Sequence, residues 1–199
     1  PLNVVRSIAQ SLPEFLSTPA ELRSRTTTIV EEVDRINARL AEFIAYSKPR
    51  KPDLKPLNSR NFADDVIRLL VADAEDDDIR LVVDGDAGTI MADEGLLRQA
   101  IFNLMINAIA ASPENTTITL RLGLDVDEMV WIEVEDEGPG VPIEKREDIF
   151  MPYFTMSEEG TGLGLAVVQQ IAAAHEWAIR YIDKPNCGAI FRIEGIKTE

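Results

Sequence analysis

"DEGPGVPIEKREDIFMPYFTMSEEGTGLGLAVV", residues 136–168, decides the fold of this 199-residue chain. Two glycine clusters, Gly138/Gly140 and Gly160/Gly162/Gly164, enclose a short apolar stretch. Glycines at that density mark backbone that bends tightly or approaches a ligand closely. Asp136 ends the strand-like "VWIEVED". A carboxylate there can accept a hydrogen bond from an exocyclic amine such as adenine's, with a base lying against bare backbone, although Asp and Gly also suit an ordinary turn. "GTGLGL", Gly160 to Leu165, opens a helix, and N–H groups at a helix N-terminus favour phosphate. The spacing is neither that of a P-loop nor a clean dinucleotide fingerprint after a strand, so both of those readings fail.

Upstream, "DEGLLRQAIFNLMINAIAAS" predicts a helix over Glu94 to Ala111. Asn103 and Asn107 are four residues apart and share a face, at the edge of an arc formed by Leu96, Leu97, Ala100, Ile101, Leu104 and Ala108. Amides bordering a buried stripe need polar partners. Either they cap neighbouring backbone, or they point into a pocket where neutral oxygens help hold a Mg²⁺ that keeps several waters and bridges phosphates.

Composition narrows the choice of partner. Residues 1–60 carry a net charge of +3 and residues 61–199 a net charge of −18, within a total of −15. So acidic a second part repels a phosphate backbone and argues against a nucleic-acid partner. A small anion is compatible with it if a cation and backbone N–H groups receive it. The single cysteine, Cys187, rules out an internal disulfide framework and suits a reducing compartment. There is no run of eighteen apolar residues and no signal-peptide pattern.

Two parts are expected, joined by a hinge. Leu22, Ile29, Val33, Ile36, Leu40 and Phe43 fall at alternating three- and four-residue steps, and Val5, Ile8, Leu12 and Phe15 repeat the rhythm. Two helices with narrow apolar seams and a short connection read as an antiparallel hairpin over residues 1–48. A hairpin cannot bury its seam alone, so pairing with its own copy into a four-helix bundle is expected. "SKPRKPDLKPLN" carries three prolines and reads as a linker, residues 49–60.

From residue 61 the pattern is mixed. Phe62 to Ala74 and Leu163 to Ala174 read as helices, "IRLVVDG" and "TIMAD" as short strands, and "TITLRLGLDVDEMVWIEVED" as a hairpin of strands. "AIRYID" and "GAIFRIEG" read as a final pair of strands. The fold class is therefore α+β: a helical hairpin followed by a two-layer α/β sandwich, with helices on one face of a mainly antiparallel sheet.

In order and spacing, "NLMINA", "DEGPG", "IFMPYFT" and "GTGLGL" resemble the N box, first glycine box, F box and second glycine box of the sensor histidine kinases. These belong to the wider ATPase group that includes gyrase and MutL. The resemblance runs from about Phe62 to the C-terminus. The hairpin resembles the dimerisation and histidine-phosphotransfer domain that precedes this module, and the opening "PL" is similar to the tail of its histidine box.

The resemblance implies that Asn107 coordinates Mg²⁺ and that Asn103 supports the metal or the phosphates. It implies that Asp136 binds the adenine amine, with Gly138 and Gly140 lining the base. Phe150 to Thr155, including Phe154, belong to a mobile lid over ATP. Gly160, Thr161, Gly162, Leu163 and Gly164 meet the phosphates, the glycines through their N–H groups. The implied reaction moves the γ-phosphoryl group of ATP to a histidine, for relay to the aspartate of a response-regulator receiver domain. A cytoplasmic location, with any membrane anchor upstream, goes with it.

Three departures stand beside the resemblance. The phosphoacceptor histidine would lie five residues before Pro1, so this chain alone is not expected to autophosphorylate. The one histidine, His175 in "IAAAHEW", occupies a place with no phosphoacceptor role in the family and reads as structural. A lysine common before the second glycine box is Ser157 here, followed by Glu158 and Glu159, and a basic residue common three positions after the N-box asparagine is Ala110. Each missing phosphate-facing cation weakens binding by about 1–3 kcal/mol if the contact is desolvated. The alternative function is thus a degenerate, dimerising ATPase-like scaffold that regulates by binding protein. An ATP-driven clamp would need an acidic residue at position 103 and a transducer domain, and the sequence shows neither.

Overall fold

The chain divides into two units, residues 1–47 and 48–199. The computed structural model describes residues 51–75, 78–156, 160–184 and 187–199, together with Ile29. The expected helical hairpin lies outside the described residues.

Among the described residues, seven strands and three α-helices follow in the order β1 (Lys55–Asn58), α1 (Ser59–Glu75), β2 (Arg80–Gly85), β3 (Thr89–Ala92), α2 (Glu94–Ala111), β4 (Thr117–Leu124), β5 (Val130–Glu135), α3 (Gly164–Ala174), β6 (Ala178–Asp183) and β7 (Ala189–Ile196), with a short 3-10 turn at Ile143–Lys145. β1 and β3 form a two-stranded ribbon, and the others form a five-stranded sheet in the order β2-β4-β5-β7-β6. Only β2 and β4 run parallel among these described strands, so the expected mainly antiparallel sheet is present. Lys55–Asn58 falls inside the stretch read as linker, yet pairs with β3, Pro56 opposite Met91. Proline is tolerated in an edge strand, where its missing donor is not needed.

The two-residue period of the strands sorts the sheet into two faces. Ile118, Leu120 and Leu122 of β4, Ile132 and Val134 of β5, and Phe191 and Ile193 of β7 are buried in register beneath the helices. The opposite face is a lattice of charges. Arg192 pairs with Glu133 at 2.5 Å and lies over the Trp131 ring at 4.6 Å. Arg180 pairs with Glu194 at 2.5 Å, and Arg121 with Asp84 and Glu135. Glu133 is only 5% exposed, which its guanidinium partner makes tolerable.

The helices begin where side chains supply acceptors. Asn58 Oδ1 accepts the Asn61 N–H at 2.8 Å and starts α1; Asp93 Oδ1 accepts the Leu96 N–H at 3.1 Å and starts α2. Both are N-cap geometries that satisfy orphan donors. α2 stops at Ser112 before Pro113, as a residue preceding proline disfavours the helical region. Asp93 does more than cap. Its Oδ2 accepts the Asp53 N–H at 3.0 Å, and its own N–H donates to His175 Nε2 at 3.2 Å.

His175, at the end of α3, is buried and stacked on Trp177 with ring centroids 3.9 Å apart. Its Nδ1 meets the Ile171 carbonyl at 2.9 Å. The ring therefore donates from Nδ1 and accepts at Nε2, the neutral tautomer. Burial holds its pKa below the ordinary 6.5, against the pull of the Ile171 carbonyl and Asp93. A histidine depressed in this way takes up a proton more readily when unfolded. Its contribution is complete above the unfolded value and is lost as pH falls from about 6.5 towards the folded one. His175→Ala should cost about 2 kcal/mol at neutral pH and flatten the loss of stability below about pH 6.5. Urea denaturation across pH reads both effects.

Candidate functional site

Helix α2 is the spine of the site. Positions 103, 107 and 111 recur every four residues and share one edge, and each meets glycine backbone. Asn103 Nδ2 donates to the Gly164 carbonyl at 3.3 Å. A Cβ placed on Gly164 would stand 3.6 Å from Asn107 Nδ2 and 3.7 Å from its Oδ1. One turn further on, a Cβ on Gly138 would stand 2.7 Å from the Ala111 carbonyl oxygen, so any side chain there displaces backbone. One helix edge thus holds both glycine segments. Of the two roles weighed for the asparagines, backbone bonding is seen at Asn103. Asn103 bonds neighbouring backbone, while Asn107 is exposed and makes no side-chain hydrogen bond among the described residues.

Asp136 follows directly on β5, beside the start of β7. It is 4% exposed, and its Oδ1 accepts the N–H groups of Gly138 and Ala189, both at 2.9 Å. Both bonds fall on Oδ1, which leaves Oδ2 to accept from a ligand. Burial pushes the carboxyl above its ordinary range, while the two N–H groups and Lys184 oppose that shift. Lys184 Nζ donates to the Asp136 carbonyl at 2.9 Å and meets Glu135 Oε1 at 2.8 Å. The Cys187 thiol donates to the Gly138 carbonyl at 2.9 Å. Gly140 continues the loop at φ 71°. Val141 N–H donates to the Tyr181 hydroxyl at 3.3 Å.

The stretch expected as a lid sits against the second glycine segment. Phe150 meets the Phe191 ring edge-on, 6.3 Å between centroids. Phe154 is half-buried, and Thr155 and Gly160 are exposed. Tyr153 N–H donates to the Gly162 carbonyl at 2.8 Å. Gly162 has φ 67°, and a Cβ on it would fall 2.5 Å from the Tyr153 carbonyl carbon, so glycine alone fits. Met151, Tyr153 and Met156 expose much of their apolar surface. The Thr161 hydroxyl accepts the Leu163 N–H at 3.3 Å, and Leu163 is buried. α3 then starts at Gly164 without a side-chain cap, its first N–H groups unspent within the helix. Ser157, Glu158 and Glu159 lie outside the described residues. Ala110 is exposed on α2 and brings no charge.

Among the described residues, no three His, Cys, Asp or Glu side chains gather to cage a metal. One neutral amide beside an uncapped helix N-terminus suits a cation that keeps water and phosphate oxygens as its other ligands. Lys184, Ala189 and Cys187 carry no local sequence signal. Only the pairing of β7 with β5 brings them to Asp136. No helix among the described residues is long and apolar enough to cross a membrane.

Residues 92–198 match the family model of the histidine kinase-, DNA gyrase B- and HSP90-like ATPases. Sensor histidine kinase ZraS of Salmonella typhi is 33% identical over 195 residues, covering 97% of this chain and 42% of its own length. Full-length ShkA in complex with AMPPNP superposes with a TM-score of 0.81 at 28% identity, over 100% of this chain and 44% of its own. Histidine kinase ThkA in complex with the response regulator protein TrrA gives 0.83 at 26% identity, over 100% and 58%. This chain spans less than two thirds of each of these relatives. With its five-stranded sheet, its helices and both glycine segments on one helix edge, the chain belongs to the histidine kinase-, gyrase B- and HSP90-like ATPases, and its relatives are sensor histidine kinases.

Proposed function

We propose that this chain is the catalytic portion of a two-component sensor histidine kinase: it binds Mg-ATP and delivers the γ-phosphoryl group to a histidine, for relay to a response-regulator receiver domain. The observation that carries this reading is the edge of α2. Asn103, Asn107 and the Ala111 carbonyl draw together an uncapped helix N-terminus and a buried carboxylate with one open oxygen. A triphosphate suits the first, and the 6-amino group of adenine suits the second. Residues 1–48 serve in this reading as the dimerising hairpin, in line with relatives that match nearly the whole chain.

The chain's part in the reaction is positioning. Asp136 Oδ2 accepts from the adenine amine, while Gly138 and Gly140 leave room for the base. The first N–H groups of α3, carrying a partial positive charge of about half a unit, receive phosphate oxygens. Asn107 gives its amide oxygen to the metal, which when bound neutralises phosphate charge during transfer. Met151, Tyr153 and Met156 supply apolar surface for the lid. The acceptor nitrogen attacks the γ-phosphorus as the bond to ADP breaks. His175 is unsuited to that task, being buried with both ring nitrogens engaged. In this reading the acceptor is a histidine other than His175. The exposed, uncharged Ala110 favours a second reading, a scaffold whose nucleotide site has decayed.

Calorimetric titration with AMPPNP, with and without Mg²⁺, separates the two. Mg²⁺-dependent binding is expected, and Asn107→Ala should remove the dependence. No binding at millimolar nucleotide would favour the scaffold.

Asp136→Asn should dissociate affinity from stability. Asparagine keeps the Oδ1 acceptor but turns Oδ2 into a donor, so binding should weaken by about 2 kcal/mol, roughly thirtyfold. A buried carboxyl with a raised pKa favours the protonated form in the fold. The stability it lends is present below the unfolded value and lost as pH rises through the folded one. The ligand-free variant should therefore melt no lower, and at neutral pH higher, than the wild type by calorimetry.

Gly162→Ala sets a Cβ against Tyr153 at a positive φ. Strain of about 1–3 kcal/mol should part the lid from α3 and weaken AMPPNP about tenfold.

A further inference from the structure

We infer that Lys184 is a positioning and specificity residue of the base site: its ammonium, tied at once to the Asp136 carbonyl and the Glu135 carboxylate, keeps Asp136 as an acceptor and so selects a 6-amino over a 6-oxo purine. The inference rests on the nucleotide reading proposed above.

The geometry is that of a clamp. Nζ lies 2.9 Å from the Asp136 carbonyl oxygen and 2.8 Å from Glu135 Oε1, and the side chains of Lys184 and Glu135 are only 20% and 15% exposed. An ammonium so shielded is less screened than a surface charge. The stem is held as well, because a Cβ on Gly188 would stand 2.9 Å from Lys184 Cδ and 2.2 Å from the Asp136 carbonyl oxygen. Lys184 thereby fastens the loop between β6 and β7 to the end of β5. From that loop, Cys187 bonds the Gly138 carbonyl and Ala189 bonds Asp136 Oδ1.

Discrimination follows from proton inventory. An ionised Asp136 Oδ2 can only accept, which suits the amine of a 6-amino purine and repels the carbonyl of a 6-oxo purine. A protonated carboxyl would donate and favour the carbonyl. Burial drives the group towards the protonated form, and Lys184 opposes it. The other charged and titratable groups around Asp136 are Glu135, which raises its pKa, Glu137, whose carboxylate takes the Thr117 N–H from β4, Arg121 of β4, which pairs with Glu135, and Cys187 and Tyr181 from the loop and strand beyond. The helix α2 side contributes the neutral Ala111 carbonyl. Among the described residues, Lys184 is the cation joined directly to the Asp136 backbone.

The test is calorimetric titration of the full chain with Mg-AMPPNP and Mg-GMPPNP from about pH 5 to pH 8, a range spanning perturbed carboxyl titration. Lys184→Met should lose AMPPNP affinity at a higher pH than the wild type does as the solution is acidified. At the acidic end of that range it should bind AMPPNP about fivefold more weakly than the wild type, with the preference over GMPPNP narrowed. Lys184→Arg should restore the wild-type profile. Lys184→Gln, which keeps a polar side chain without the charge, should move the loss to higher pH as Lys184→Met does, a shift that a merely structural role would not produce. It also keeps the inference testable if Lys184→Met fails to fold. An unmoved profile and selectivity in a folded Lys184→Met or Lys184→Gln overturns the inference alone. A wild-type chain that binds neither nucleotide overturns the nucleotide reading and this inference with it.

Discussion

The structure of this domain depends on how closely backbone approaches the C-terminal half of α2. A helix presents side chains to its neighbours, and here two are amides, followed one turn later by a free carbonyl. Glycine is what lets other segments come within contact of that edge. The Ala111 carbonyl leaves no room for a Cβ at position 138, and Gly164 rests against Asn107. Had α2 carried branched side chains at 103 and 107, the start of α3 would stand further off. The uncapped N–H groups would then stand apart from the two amides. Packing density and ligand chemistry are the same constraint in this molecule.

In the proposed reading, the domain would meet an anionic ligand despite its own negative charge. Its arginines are largely committed elsewhere: Arg121, Arg180 and Arg192 to the open face of the sheet, Arg146 to Asp183. Among the described residues, what meets the start of α3 is dipolar: its own backbone N–H groups and the amides of Asn103 and Asn107. Dipoles act over a shorter range than charges and lose less to salt. A site built from them depends on exact placement more than on long-range attraction, which fits the number of backbone contacts that fix the two glycine segments.

Much of this was legible in the sequence, and the rest was hidden for identifiable reasons. The helix over Glu94–Ala111, the β4–β5 hairpin and the final strand pair announce themselves by period and turn chemistry, which are local. β1 did not, because "KPLN" is four residues long with a proline inside it, and its pairing with β3 is decided by distant chain. The parallel partner of β2 is likewise invisible to local pattern. Asn107, Asp136 and the glycines of the candidate site stood out in the sequence because their chemistry is unusual for their positions. Lys184 and Ala189 were not: they stand 48 and 53 residues from Asp136 and reach it only through strand register.

Asp93 carries a consequence of a different kind. One residue starts α2 through Leu96, receives the incoming chain through Asp53 and engages the end of α3 through His175. Three segments distant in sequence therefore share one node, and the energies of their bonds are not independent quantities. Loss of any one leaves the carboxylate or its amide freer to leave the others, so the three contributions couple instead of adding. The first turn of α2 is for that reason a cooperative unit assembled from three parts of the chain, not a local feature of the helix that contains it.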